Sequence, residues 1–113
     1  MKLATISEAP VSMSEVKDIL EKTKERDTIL NFRAQKTLDY LQQNARLSTK
    51  KHKELAEAIA KLEVPRLKEQ HIVKLCDVLP LSADDVKLVL QGYNVTITKE
   101  NQQKIAETVK SAL

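Results

Sequence analysis

Glycine is nearly absent from this 113-residue chain, which has one glycine and three prolines. The tight turns of a sandwich or barrel depend on such residues, so an all-β architecture is excluded. Aromatics make up only 3% of the sequence, with no tryptophan, and any core must be built from aliphatic side chains. The single cysteine, Cys76, rules out an internal disulfide and a cysteine-rich zinc site, and fits a reducing compartment. Two histidines, His52 and His71, lack the cysteine or carboxylate spacing of a zinc site. One glycine cannot form a glycine-rich phosphate loop, and no nucleophile–base arrangement can be built from Cys76 and distant histidines. No catalytic residue, metal or cofactor is expected. No apolar run approaches the roughly 20 residues of a membrane span. The opening "MKLATISEAP" carries Glu8 where a signal peptide would have its apolar core, so a cytoplasmic location is expected.

What the chain has in quantity is charge and helix-forming residues. Charged residues are 31% of it, and Ala, Leu, Lys, Glu and Gln are abundant, which is helical composition. The net charge is +3, unevenly spread: residues 33–68 hold 9 basic against 4 acidic residues, while the segments on either side are each −1. The excess centres on "RLSTKKHKE", residues 46–54. Lys50, Lys51 and Lys53 read as a solvated helix start or as a contact for nucleic acid or an acidic partner. No aromatic interrupts the run, so a base-stacking platform is not indicated.

Periodicity divides the chain into six helices. "KLATISEA", residues 2–9, alternates and is closed by Pro10; it reads as a lone strand or extended arm. Its backbone groups need a partner edge, and only "YNVTIT", 93–98, offers a candidate second strand. Ser12 and Glu15 have the spacing of a capping box ahead of a stripe of Met13, Val16, Ile19 and Leu20. The polar "EKTKERD" that follows reads as the helix end and a loop. A second helix is expected from about Thr28 to Arg46, with Ala34, Leu38, Leu41 and Ala45 on one face. Ile29, Phe32 and Tyr40 lie off that face, as on a helix that packs on two things at once. A third helix, capped by Ser48 or Thr49, carries Leu55, Ala58, Ile59 and Leu62. Pro65 is expected to open a fourth, with Ile72, Leu75, Cys76 and Leu79 as its stripe; Cys76 is therefore a small core residue. Pro80 stops it. Ser82 caps a fifth helix, and Asp84 and Asp85 suit the dipole of its first turn. Gly92 is expected to take the left-handed position beyond that helix. A last helix follows Thr98, with Ile105, Ala106, Val109 and Leu113 on its apolar face.

Several stretches resemble one family. "TLDYLQQNARLSTKKHKELAEAI", 37–59, is similar to the middle of the F-type subunit of archaeal RNA polymerase, the counterpart of the fourth subunit of eukaryotic RNA polymerase II. "HIVKLCDVLPLSADDVKLVL", 71–90, resembles that family's hydrophobic-Leu-Pro segment with its acidic turn and helix. "TKENQQKIAETVK", 98–110, resembles its closing helix, and "ISEAPVSMSEVKDIL", 6–20, its opening strand and short helix. Cys76 departs from the plain small apolar residue expected there, and "KKHK" is more basic than the family pattern.

The resemblance implies an all-α protein, a small HRDC-like helical bundle over residues 34–113, preceded by a partner-binding arm and first helix over 1–33. It implies a non-catalytic stalk component of DNA-directed RNA polymerase that forms a heterodimer with the E-type RNA polymerase subunit. Such a stalk supports open-complex formation, initiation-factor contact and guidance of nascent RNA. Leu3, Ala4, Thr5, Ile6 and Ser7 would add a strand to a sheet of the E-type partner, and Val11, Phe32 and Tyr40 would bury apolar area against the same protein. RNA contact would be weak or indirect. The alternatives are a free-standing HRDC-like nucleic-acid-binding module and a helical adaptor of another complex; a self-sufficient module has no use for an unpaired arm.

Overall fold

The computed structural model describes residues 7–27 and 29–113. The expected strand residues Leu3, Ala4, Thr5 and Ile6, and the expected helix start at Thr28, lie outside the described residues. Six α-helices follow one another: α1 (Met13–Asp27), α2 (Phe32–Asn44), α3 (Thr49–Ala60), α4 (Glu69–Val78), α5 (Ala83–Leu90) and α6 (Lys99–Ala112). No strand occurs among the described residues. The protein is a small all-α bundle, as its composition requires.

Caps set most helix starts. The Ser12 hydroxyl accepts from the Glu15 amide at 3.1 Å, and Ser48, Ser82 and Thr98 do the same for Lys51, Asp85 and Asn101. Each satisfies an amide that the first turn of a helix leaves without an intrahelical acceptor. The helix that follows then places an apolar stripe inward. Leu55, Ile59, Leu75, Cys76, Val86, Ile105 and Val109 are almost fully buried and meet in one core, with Val64, Leu79, Leu90, Ile97 and Ala106. Every member belongs to α3–α6 or the loops joining them.

Helices α1 and α2 form a separate hairpin. They pack on each other, and α1 also packs on α3. The Cα radius of gyration is 16.0 Å, against about 13 Å for a compact domain of this size. The shortest principal extent, 21 Å, is about two helix diameters.

Four local expectations are corrected. The polar run after Leu20 is helical through Asp27: Lys, Glu and Arg have high helix propensity without an apolar stripe, and Lys24 and Arg26 suit the dipole of the last turn. Helix α2 begins at Phe32 because Asn31 caps it, its Oδ1 accepting from the Ala34 amide at 2.8 Å. Pro65 does not open α4. Glu63 and Arg66 both hold positive φ, 51° and 67°, and a left-handed residue directly after the proline cannot be the second residue of a right-handed helix. Helix α4 starts at Glu69 instead, where His71 Nδ1 accepts from the Lys68 amide at 2.9 Å. Gly92 lies within a 3-10 turn at Gln91–Tyr93, and Asn94 takes the left-handed position with φ 54°. Asn is the side chain that adopts this conformation at least cost after glycine.

Candidate interaction surfaces

The hairpin leaves large apolar side chains in solvent. Helix α2 buries Leu38 and Leu41, and its opposite side carries Phe32, 76% exposed, and Tyr40, 59% exposed. These two and Lys36 stand at i, i+4 and i+8, one ridge of the helix. The Lys36 ammonium lies 5.3 Å from the centroid of the Phe32 ring, a cation–π distance. Ile29, before the helix, and Val11, ahead of α1, are also exposed, and Ser7 is exposed beyond them. Ile19, expected on the inward stripe of α1, is exposed as well. Met13, Val16 and Leu20 of the same stripe are half-buried where α1 packs on its neighbours, and Ile19 is not.

Polar bonds hold the base of this hairpin to the core. The Met13 amide donates to Asp77 Oδ1 on α4 at 3.2 Å, the Ser14 hydroxyl donates to the Leu47 carbonyl, and the Thr49 hydroxyl donates to Asp18. Ser12 and Ser14 are buried in this joint. His52 Nε2 approaches the same Asp77 Oδ1 at 3.4 Å, yet makes no hydrogen bond to it. Sequence spacing gives no hint of this joint, since Met13 and Asp77 are 64 residues apart.

The basic run divides. Lys50, Lys51 and Lys53 are exposed on α3, while His52 turns inward and is buried. The first turn of α3 holds no acidic residue, so the helix dipole opposes rather than favours these cations. Exposed lysines at such a place suit an anionic partner.

The buried His71 and Cys76 are structural. Burial, with the nearby charge of Lys68, lowers the His71 pKa from its ordinary value, and the ring packs edge-on to Tyr93 at 5.0 Å between centroids. Its Nδ1 is the acceptor for Lys68, so the neutral ring carries its proton on Nε2. Burial, then the charge of Asp77, pushes the Cys76 thiol up to about 12. A thiol held neutral in a packed core is a poor nucleophile. Among the described residues no group of three or more His, Cys, Asp or Glu side chains could hold a metal, and no helix is long and apolar enough to cross a membrane.

The model of one protein family, RNA polymerase Rpb4, matches residues 5–113. No curated protein matches the chain.

Proposed function

Because this chain belongs to the RNA polymerase Rpb4 family, whose members are non-catalytic stalk components of the polymerase, we propose that it is the F-type subunit of an archaeal-type enzyme and pairs with the E-type subunit. The match over nearly all of the chain carries this reading. The exposed apolar ridge of the hairpin supports the pairing. Leu3, Ala4, Thr5, Ile6 and Ser7 add a strand to a sheet edge of the E-type partner, the strand-addition mode of recognition. Val11, Phe32 and Tyr40 cover apolar surface on the same protein. Residues 1–33 serve the partner and residues 34–113 form an HRDC-like domain. In the assembled stalk the chain supports open-complex formation, contact with initiation factors and guidance of nascent RNA in the cytoplasm. Lys50, Lys51 and Lys53 add a weak, salt-sensitive attraction for RNA phosphates.

Deletion of residues 1–9 tests this reading, with affinity for the E-type partner and helix content of the isolated chain measured separately. Association weakens and helicity is nearly unchanged. If the truncated chain binds that partner as tightly as the intact one, the strand-addition interface is wrong. Tight RNA binding by the isolated chain at physiological salt favours a free-standing nucleic-acid-binding module instead.

A further inference from the structure

A second surface lies away from the Phe32–Tyr40 ridge, and its charge is opposite to that of the chain as a whole. Helices α3 and α4 and the segment entering α1 enclose a groove of about 430 Å³, within the size range of ligand-binding clefts. Its apolar lining comes from Pro10, Ala56, Ala60, Ile72 and Val73. Glu15, Glu57 and Glu69 rim it, against one cation, Lys53. None of the three carboxylates is within ion-pair or hydrogen-bond distance of a side chain among the described residues. Glu15 and Glu69 stand in the first turns of α1 and α4, where the helix dipole accounts for an acid. Glu57 has no such account from the dipole; Lys53 and Lys61 flank it at i−4 and i+4, and it forms an ion pair with neither among the described residues. It stands in the last turn of α3, which has no basic residue, so the dipole opposes it. Three such carboxylates around an apolar floor, in a chain of net charge +3, outnumber Lys53 at the rim and attract a cationic segment.

We propose that this groove is the docking site for a basic amphipathic helix of a partner protein, with large aliphatic side chains seated between Ala56, Ala60 and Ile72 and Lys or Arg side chains set against Glu15, Glu57 and Glu69. The small side chains of Ala56 and Ala60 leave the room, and the carboxylates give the orientation and the sign selectivity. The groove adjoins the proposed stalk-pairing segment at Pro10, Ser12 and Glu15, but its floor and the Glu57 and Glu69 rim belong to α3 and α4, and the inference does not depend on that pairing.

The test titrates the isotopically labelled 113-residue chain with a peptide probe and follows backbone amide shifts by NMR. The probe is a helical peptide with leucines at i, i+3, i+4 and i+7 and lysines on its other face; a control peptide has glutamates in place of the lysines. Shifts from the lysine peptide centre on Ala56, Ala60, Ile72 and Val73, and the glutamate peptide produces none there. Glu57→Lys with Glu69→Lys weakens the lysine peptide at least about tenfold, the scale expected for two reversed charges at a rim. Both positions are exposed, and retained helicity of that variant confirms its fold. Equal binding of both peptides, shifts confined to the Phe32–Tyr40 ridge, or an affinity unmoved by the charge reversal overturns the proposal.

Discussion

The two parts of this molecule keep their shape by different means. In α3–α6 the interactions are almost wholly apolar: Ile59, Leu75, Val86, Ile105 and Val109 belong to one packed cluster and are sealed from water. The α1–α2 hairpin buries Leu38 and Leu41, but its anchors to the core are polar, through Asp77, Leu47 and Asp18, and Ile19, Ile29, Phe32 and Tyr40 stay outside. A close-packed core resists any change of volume, whereas a helix pair joined to it by a few hydrogen bonds separates at lower free energy. The half with rigid packing therefore acts as the platform, and the half that carries Ile29 and Phe32, the two most exposed large apolar side chains among the described residues, is the one suited to a partner.

Truncation in the platform gives the largest effect. Ile59→Ala or Leu75→Ala removes a fully buried side chain and lowers unfolding stability by about 2–5 kcal/mol, measured by urea denaturation followed by circular dichroism. A loss below about 1 kcal/mol would show that this core is loosely packed.

Asp77→Ala acts at the joint. It withdraws the acceptor of the Met13 amide and the carboxylate beside His52, at a cost of about 1–3 kcal/mol, chiefly for the part-buried amide left unsatisfied. Hydrogen exchange locates the damage: amides of α1 lose protection while those around Ile105 and Val109 keep theirs. Uniform loss across both regions would merge the two parts into one cooperative unit.

Acidification separates them in the opposite sense. The folded state lowers the His71 pKa, so folding favours the neutral ring. Its contribution is complete above the unfolded value of about 6.5 and is lost as pH falls through the lower folded value, because the unfolded chain takes up the proton first. Thermal midpoints of the wild-type chain fall over that window, and His71→Gln flattens the fall. A variant with the wild-type pH slope would place the titration elsewhere.

The smallest effect on stability comes from the exposed ridge. Phe32→Ala with Tyr40→Ala changes unfolding free energy by no more than about 0.5 kcal/mol, as for other surface substitutions. Under the proposed pairing, affinity for the E-type subunit falls in the same variant, since each large side chain buried at an interface contributes about 1.5–3 kcal/mol. A strongly destabilised double variant would mean that the ridge is part of the platform.

Much of the platform is legible in the sequence. The stripes Leu55–Ile59 and Ile72–Leu75–Cys76–Leu79, the Ser82 cap and the start of α6 after Thr98 all fall where periodicity and capping place them. These signals are local: a cap acts over three residues, and a stripe repeats within two turns. The departures have two origins. The polar end of α1 and the Asn31 cap of α2 are local signals that apolar periodicity overlooks, whereas at Pro65 and Gly92 residue type misleads because the chain's path around the core decides which residue turns left-handed. Ile19 has the spacing of a core residue and is exposed for the same reason: an apolar stripe does not reveal whether anything lies opposite it.

The sequence by itself determined the helical class, the aliphatic core of α3–α6 and the spare apolar edge of α2, since propensity, periodicity and capping are written in neighbouring residues. Only the tertiary structure decided that Asp77 holds the first turn of α1, that His52 leaves its lysine neighbours to face inward, and that Glu15, Glu57 and Glu69 share one groove. These groups come from three helices far apart along the chain, and distances of a few ångströms between them exist only once the packing of the core has fixed where each helix lies.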